Sequence, residues 1–138
     1  MSGPSEADLA SAAERLGAEL LAAEWTLVTA ESSTAGLIGH AITMVPGASR
    51  YYLGGVIAYS NLAKELELRV PAELITAHGA VSEEVAHAMA VGVRTRFDAD
   101  LGVAVTGIAG PAGGGADKPV GLHYVGASRR GRFRAFER

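Results

Sequence analysis

The segment Trp25–Met44, with the sequence WTLVTAESSTAGLIGHAITM, joins a short apolar run to a polar loop and a helical stretch. Trp25 to Ala30 is rich in apolar and β-branched residues, which predicts a buried strand. The loop from Glu31 to Gly36 carries three hydroxyl side chains, and the pattern of Leu37 to Met44 is helical. Because a strand, a loop and a helix in this order are the building unit of α/β proteins, this segment decides the fold class.

Helical patterns recur along the rest of the chain. Ser5 and Asp8 form a capping-box pattern at the start of an amphipathic first helix. Serine caps and a proline suited to a first turn predict the starts of three more helices. The helices outside the deciding segment are expected from Ser5 to about Glu24, after Ser60, after Pro71 with Gly79 as the end, and from Ser82 to about Phe97.

Strand patterns alternate with these helices. Leu101 to Thr106 is apolar throughout, as expected of a strand covered on both faces. The other strands are expected at Gly55–Tyr59 and in a terminal hairpin of Val120–Ser128 and Arg132–Glu137 that turns at Arg130 and Gly131. We therefore predict a three-layer α/β/α sandwich with a mixed, mostly parallel sheet, in one domain that spans residues 1–138.

The composition favours a folded protein without a nucleic-acid partner. Of the 138 residues, 49% are hydrophobic and 20% are charged, and the net charge is -3. A weakly acidic chain has no general attraction for polyphosphate, and the basic cluster at 129–134 is interpreted as a solvated hairpin. The absence of cysteine excludes thiolate chemistry in this chain. No apolar run approaches the roughly 20 residues of a membrane span, so we expect a cytoplasmic protein with no membrane partner.

Three loops are expected at the carboxyl ends of strands, where open α/β sheets bind their ligands. They are Glu31–Gly36, Tyr59–Lys64 and Thr106–Gly115. The hydroxyls of the first loop suit a phosphate or carboxylate at a helix N-terminus, although one of them can equally be a simple helix cap. The third loop is glycine-rich but has neither the dinucleotide fingerprint nor the Walker pattern, so it is weak evidence by itself.

Lys64 in the second loop is the most specific candidate for chemistry. A helix N-terminus disfavours positive charge, which favours the neutral amine, and a neutral lysine can activate a serine hydroxyl. Ser49, just beyond the Pro46-Gly47 turn, is a candidate partner, and an ordinary surface lysine is the alternative. The four histidines show no ligand spacing, so we expect neither a metal nor another cofactor.

Several of these segments resemble, in the same order, the motifs of the CinA C-terminal domain family. Ala30–Gly36 resembles that family's Ala-Glu-Ser-Cys-Thr-Gly-Gly loop. The resemblance continues through PGAS (46–49), GGVIAYSNLAK (54–64), HGAVS (78–82), TGIAGP (106–111) and KPVG (118–121). It covers nearly the whole chain and implies the family's three-layer sandwich around a mixed sheet.

The resemblance also implies a function. The family includes stand-alone nicotinamide-nucleotide amidohydrolases, which convert nicotinamide mononucleotide into nicotinate mononucleotide and ammonia. By motif, Ser49 is then the nucleophile, Lys64 its general base and Tyr59 a hydrogen-bonding partner. A small nucleotide is the implied substrate, and a homodimer or higher homo-oligomer is the implied assembly. The positions implied to surround the pocket are Glu31, Ser32, Thr34, Asn61, Thr106 and Gly107.

The chain also departs from the family pattern. Ser33 stands at the position of the usual cysteine, and Ala35 replaces the first glycine of the loop. We further expect the chain to lack the family's last helix after Arg138. The expected lack of the last helix favours a second hypothesis, a catalytically silent nucleotide-binding or dimerisation module of the competence and damage-inducible family. A nucleic-acid or competence regulator is a third hypothesis, which the net charge disfavours.

Overall fold

The computed structural model describes residues 3–131. Within that range the chain forms α-helices, β-strands and one 3₁₀ turn. In chain order they are α1 (Glu6–Ala23), β1 (Leu27–Glu31), α2 (Leu37–Thr43), the 3₁₀ turn (Ala48–Arg50), β2 (Tyr52–Ile57), α3 (Asn61–Leu68), α4 (Ala72–His78), α5 (Glu83–Phe97), β3 (Leu101–Gly107) and β4 (His123–Arg129).

The four strands form one mixed sheet in the order β2-β1-β3-β4. Strand β1 lies in the middle and pairs in parallel with β2 and β3, so that Ala30 faces Val56 on one side and Ala104 on the other. Strand β4 pairs antiparallel with β3. The carboxyl ends of β1, β2 and β3 therefore meet at one edge of the sheet.

Helices cover both faces of this sheet, and the predicted three-layer α/β/α architecture is confirmed. Strand β1 is buried along its whole length because its alternate side chains enter two different cores. One core packs the sheet against α3, α4 and α5, and it includes Val28, Ala30, Leu68, Ile75, Met89 and Ala104. The other packs the sheet against α1, α2 and the 3₁₀ turn, and it includes Leu20, Leu27, Ile42, Ala48 and Tyr51.

The predicted helix starts are confirmed by their caps. Ser5 and Asp8 form a reciprocal capping box at α1. The hydroxyls of Ser60 and Ser82 accept hydrogen bonds from the amides at the starts of α3 and α5. Gly79 ends α4 with a positive φ of 80°. Local capping chemistry is thus sufficient to place these boundaries.

Strand boundaries differ from the prediction. Strand β2 begins at Tyr52 rather than Gly55, because its first residues pair with β1, and it ends at Ile57, before Tyr59. Strand β4 begins at His123 rather than Val120, and its partner is β3. The second strand of the expected hairpin, 132–137, lies outside the described residues. Within the part of the chain that the structure describes, no helix is long and apolar enough to cross a membrane.

Candidate functional site

Ser32 and Lys64 meet at the edge of the sheet where β1 and β2 end. Ser32 directly follows β1, and its amide donates to the carbonyl of Val105 in β3, which fixes the start of the loop. Lys64 lies in α3, after the end of β2. Because β1 and β2 are parallel neighbours, the segments that follow them are also neighbours. The pairing of the strands therefore places these two side chains together.

The Lys64 amine is enclosed and fully partnered. The residue is only 1% exposed and Ser32 only 6% exposed. The Lys64 Nζ atom lies 3.0 Å from Ser32 Oγ, 3.0 Å from the carbonyl oxygen of Ala58 and 3.0 Å from that of Tyr59. These three oxygen atoms match in number the three hydrogen-bonding positions that an amine nitrogen has beside its bond to Cε. A close approach of α3 to Gly92 of α5 holds the helix that carries the amine.

Burial lowers the pKa of Lys64 below its ordinary value of 10.5, because the charged ammonium loses its hydration. The sequence predicted this direction from the helix N-terminus, but the physical cause is desolvation. In the neutral form two N–H groups donate to the carbonyls of Ala58 and Tyr59. The nitrogen lone pair then faces Ser32 Oγ, ready to accept its proton.

The structure does not bring Ser49 and Lys64 together, which corrects the expected pairing. Ser49 is exposed in the 3₁₀ turn that precedes β2, whereas Lys64 follows β2. The strand between them spans about 20 Å at 3.3 Å per residue. Ser49 lines a separate surface cavity of about 510 Å³, which includes neither Ser32 nor Lys64. The hydroxyl next to the lysine is that of Ser32.

Tyr59 contributes its backbone rather than its phenol. Its carbonyl oxygen accepts a hydrogen bond from Lys64, while its side chain is 73% exposed. The hydrogen-bonding position expected of Tyr59 in the cluster is thus filled by its carbonyl oxygen. Asn61, the first residue of α3, is also exposed.

Glu31 holds the loop that carries Ser32. Its carboxylate is buried at the N-terminus of α2, where Oε1 accepts from Thr34 Oγ1 at 2.7 Å and from the Gly36 and Ile38 amides at 3.1 and 2.9 Å. Oε2 accepts from the Gly39 amide at 2.9 Å. The sequence predicted that a phosphate or carboxylate ligand could bind at this helix N-terminus. In the structure the carboxylate of Glu31 occupies the position. Glu31 and Thr34 position the loop and are not aimed at a ligand.

Thr106 and Gly107 lie at the end of β3, at the same edge of the sheet as Ser32. The Thr106 hydroxyl is buried and donates to the carbonyl of Ala80 at 2.9 Å, which ties β3 to the segment before α5. Gly107 lies opposite His123 in β4, and a Cβ atom there would collide with the imidazole ring. The Thr106 hydroxyl therefore has a structural role, and the close packing against His123 requires glycine at position 107.

The sequence did not predict that Ser32 is the hydroxyl that contacts Lys64. The signal that could have found it is positional: Ser32 follows a strand, as Lys64 does, whereas Ser49 precedes one. In a parallel sheet only residues that follow strands share the ligand-binding edge. In the described part of the chain, no group of three or more histidine or acidic side chains is arranged to hold a metal ion.

Comparisons with known proteins agree on one family. The model of the CinA C-terminal domain matches residues 9–138. A CinA-like protein of Gemmatimonas aurantiaca is 56% identical over 110 residues, which are 80% of this chain and 26% of that protein. A putative competence-damage inducible protein of Moorella thermoacetica is 53% identical over 84% of this chain and 28% of its own length. The chain thus spans about a quarter of the length of these relatives.

Solved structures show the same fold. The crystal structure of the competence/damage inducible protein CihA from Agrobacterium tumefaciens has a TM-score of 0.87 and 41% identity, over 94% of this chain and 78% of that one. The competence damage-inducible protein A from Klebsiella pneumoniae has a TM-score of 0.86 and 34% identity, over 90% and 77% of the two chains.

Proposed function

The chain belongs to the CinA C-terminal domain family, and we propose that it is a Ser/Lys amidohydrolase that converts nicotinamide mononucleotide into nicotinate mononucleotide and ammonia. Ser32 is the nucleophile in this proposal and Lys64 is its general base. The observation that carries it is the 3.0 Å contact between Lys64 Nζ and Ser32 Oγ in a buried setting. Burial favours the neutral amine, which is the form that accepts a proton.

The proposed reaction has two stages. Ser32 Oγ attacks the carboxamide carbon while its proton passes to Lys64, and Lys64 then gives that proton to the nitrogen that leaves as ammonia. The acyl group remains on Ser32 as an ester. A water molecule attacks the ester while Lys64 takes the water's proton and returns it to Ser32 Oγ. The acid is released, and the serine and the amine regain their starting forms.

Polar groups beside Ser32 support a ligand at this place. The Oγ atom of Ser33 is buried and has no hydrogen-bond partner among the described residues. Within residues 3–131 the backbone amides of Ser33 and Thr34 also donate to no acceptor. Amides that directly follow a nucleophile are suited to stabilise the oxyanion of a tetrahedral intermediate. In this proposal they do so, and the phosphate of the nucleotide lies away from the α2 terminus that Glu31 occupies.

A second candidate is a catalytically silent nucleotide-binding module. The observation in its favour is the nearly complete burial of both Ser32 and Lys64, since a lysine with three partners can also be a structural group. The two candidates differ in turnover: the enzyme releases ammonia, and the module binds the nucleotide without converting it.

Ammonia release from nicotinamide mononucleotide by the purified protein tests the proposal. We expect Ser32→Ala and Lys64→Met each to lower kcat by at least about 100-fold, the lower range for loss of a positioned base. Ser49→Ala is the matched control, and it should keep its activity because Ser49 lies at the other end of β2. Calorimetric binding without ammonia release would favour the silent module. Loss of activity in Ser49→Ala alone would contradict the assignment of Ser32.

A further inference from the structure

A cavity of about 860 Å³ lies between the end of α3 and the side of α5, and neither Ser32 nor Lys64 lines it. Its volume is within the range of small-molecule pockets. Glu67–Arg69 and Pro71 form one wall, and α5 forms the other with a strip along one half of its circumference. The strip consists of His87, Ala88, Val91, Gly92, Thr95 and Arg96. We call this space the α3–α5 cavity.

One end of the α3–α5 cavity is positively charged. Nη1 of Arg96 donates to the backbone carbonyl of Glu67 at 2.8 Å and lies 2.9 Å from Oε2 of its carboxylate. Arg69 follows Glu67 by two residues, and within residues 3–131 its guanidinium forms no hydrogen bond or ion pair. Two arginines and one glutamate thus leave one uncompensated positive charge at this end. The other acidic side chains of α3, α4 and α5 do not line the cavity; they are Glu65, Glu73, Glu83 and Glu84.

His87 marks the other end of the cavity. It lies nine residues before Arg96, which is about 13 Å along α5 at 1.5 Å per residue. The Nδ1 atom of His87 is buried and has no hydrogen-bond partner among the described residues. The ring is partly exposed and lines the cavity, so Nε2 is the nitrogen that a ligand can reach. An imidazole nitrogen in this position suits one hydrogen bond to a ring heteroatom of a ligand.

The floor between the two ends is apolar and shallow. It is formed by Ala88, Val91 and Gly92, whose small side chains leave room for a flat ring. Gly92 has a reason of its own to be small, since a Cβ atom there would collide with the carbonyl of Leu68 at the end of α3. The close contact of the two helices therefore fixes the walls of the cavity before any ligand binds.

We propose that the α3–α5 cavity binds an organic phosphate of about mononucleotide size. The guanidinium groups of Arg69 and Arg96 donate to the phosphate oxygens, because their planar N–H donors suit that group. The ring system of the ligand lies on the apolar floor, and a ring heteroatom contacts Nε2 of His87.

The size and polarity of the cavity favour an organic body over a simple anion. Inorganic phosphate can contact the arginine end but cannot also reach His87, which lies about 13 Å further along α5. A ligand that carries its charge at one end and a ring at the other satisfies both ends and covers the apolar floor. This proposal does not depend on the chemistry of Ser32 and Lys64.

Calorimetric titration of the purified chain with adenosine monophosphate tests the site. We expect a dissociation constant of about 10–1,000 µM. Arg69→Gln should weaken binding by at least about 10-fold, because it removes a charged donor to the phosphate. Arg15→Gln is the matched control, since it removes the same charge from an exposed position of α1. Circular dichroism shows whether the variants keep the fold.

The same titration separates this cavity from the site of Ser32 and Lys64. Lys64→Met should bind adenosine monophosphate as the wild type does, because Lys64 does not line the α3–α5 cavity. Absence of binding at millimolar nucleotide would overturn the proposal. Binding that Lys64→Met abolishes and Arg69→Gln leaves intact would overturn it as well, because the nucleotide would then lie at the other site.

Three partial ligands test which parts of the molecule are recognised. Ribose 5-phosphate, adenosine and inorganic phosphate should each bind at least about 10-fold more weakly than adenosine monophosphate, because each leaves part of the cavity unfilled. His87→Phe keeps a ring but removes Nε2, so it should weaken the nucleotide by about 3- to 10-fold and leave ribose 5-phosphate unchanged. Inorganic phosphate that binds as tightly as the nucleotide, or adenosine that does so, would overturn the proposed ligand class.

Discussion

Replacement of Glu31 by glutamine tests how the loop that carries Ser32 is held. The carboxylate accepts hydrogen bonds from the Thr34 hydroxyl and from three backbone amides. Glutamine keeps the shape but places an NH₂ group where one oxygen accepted a donor, so at least one of these donors loses its acceptor. A lost hydrogen bond to a charged group costs about 1.5–3 kcal/mol. The lost charge at the N-terminus of α2 adds about 0.3–1 kcal/mol.

We therefore expect Glu31→Gln to lower the free energy of unfolding by about 2–4 kcal/mol, a large part of the roughly 5–15 kcal/mol of an ordinary domain. The thermal midpoint should fall by about 10 °C. Denaturant and thermal unfolding followed by circular dichroism measure both values. Glu19→Gln, at an exposed position of α1, is the control and should change stability by less than about 0.5 kcal/mol. If the two variants unfold at the same denaturant concentration, the carboxylate does not hold the loop and the argument fails.

Three further predictions concern Lys64 and the packing behind it. Ammonia release should rise with pH up to the pKa of Lys64, because only the neutral amine accepts the serine proton. Burial lowers this pKa below 10.5. A rate that does not change with pH through the neutral and alkaline range would contradict this prediction. The free energy of unfolding should also rise with pH between that lowered pKa and 10.5, where only the unfolded chain binds the proton, and Lys64→Met should abolish the rise. Gly92→Ala would press a methyl group into the α3 backbone at Leu68 and should destabilise the fold by about 1–3 kcal/mol. Gly115→Ala is the control and should not destabilise the fold, because a Cβ atom at Gly115 meets no neighbouring atom. Equal unfolding midpoints of the two variants would argue against the contact between Gly92 and α3.

The fold was predictable where the signals are local. Ser5, Ser60 and Ser82 cap their helices through side-chain contacts within three residues, so the sequence alone locates these starts. The ends of β2 were not predictable in the same way. Gly54 is a weak strand former, and it is held in β2 by its pairing with Val28 of β1. Such pairing depends on residues far away in the chain.

The site was half predictable for the same reason. Lys64 stood out because it follows an apolar strand and begins a helix. Which hydroxyl contacts Lys64 depends on which strand pairs with β2. That strand is β1, and the sequence pattern alone does not predict this pairing. The role of Glu31 was hidden as well, since a carboxylate after a strand suits a ligand site as well as a cap. The four donors that surround it show that it acts as a cap.

The identity of the nucleophile is the central claim, and covalent labelling with a serine-directed fluorophosphonate measures it most directly. Ser32, Ser33 and Ser49 all lie in one tryptic peptide, Leu16–Arg50, so fragment mass spectrometry must locate the adduct within that peptide. We predict an adduct on Ser32 that Lys64→Met slows by at least about 100-fold. An adduct on Ser49 or Ser33, or one on Ser32 that forms equally fast without Lys64, would contradict the account.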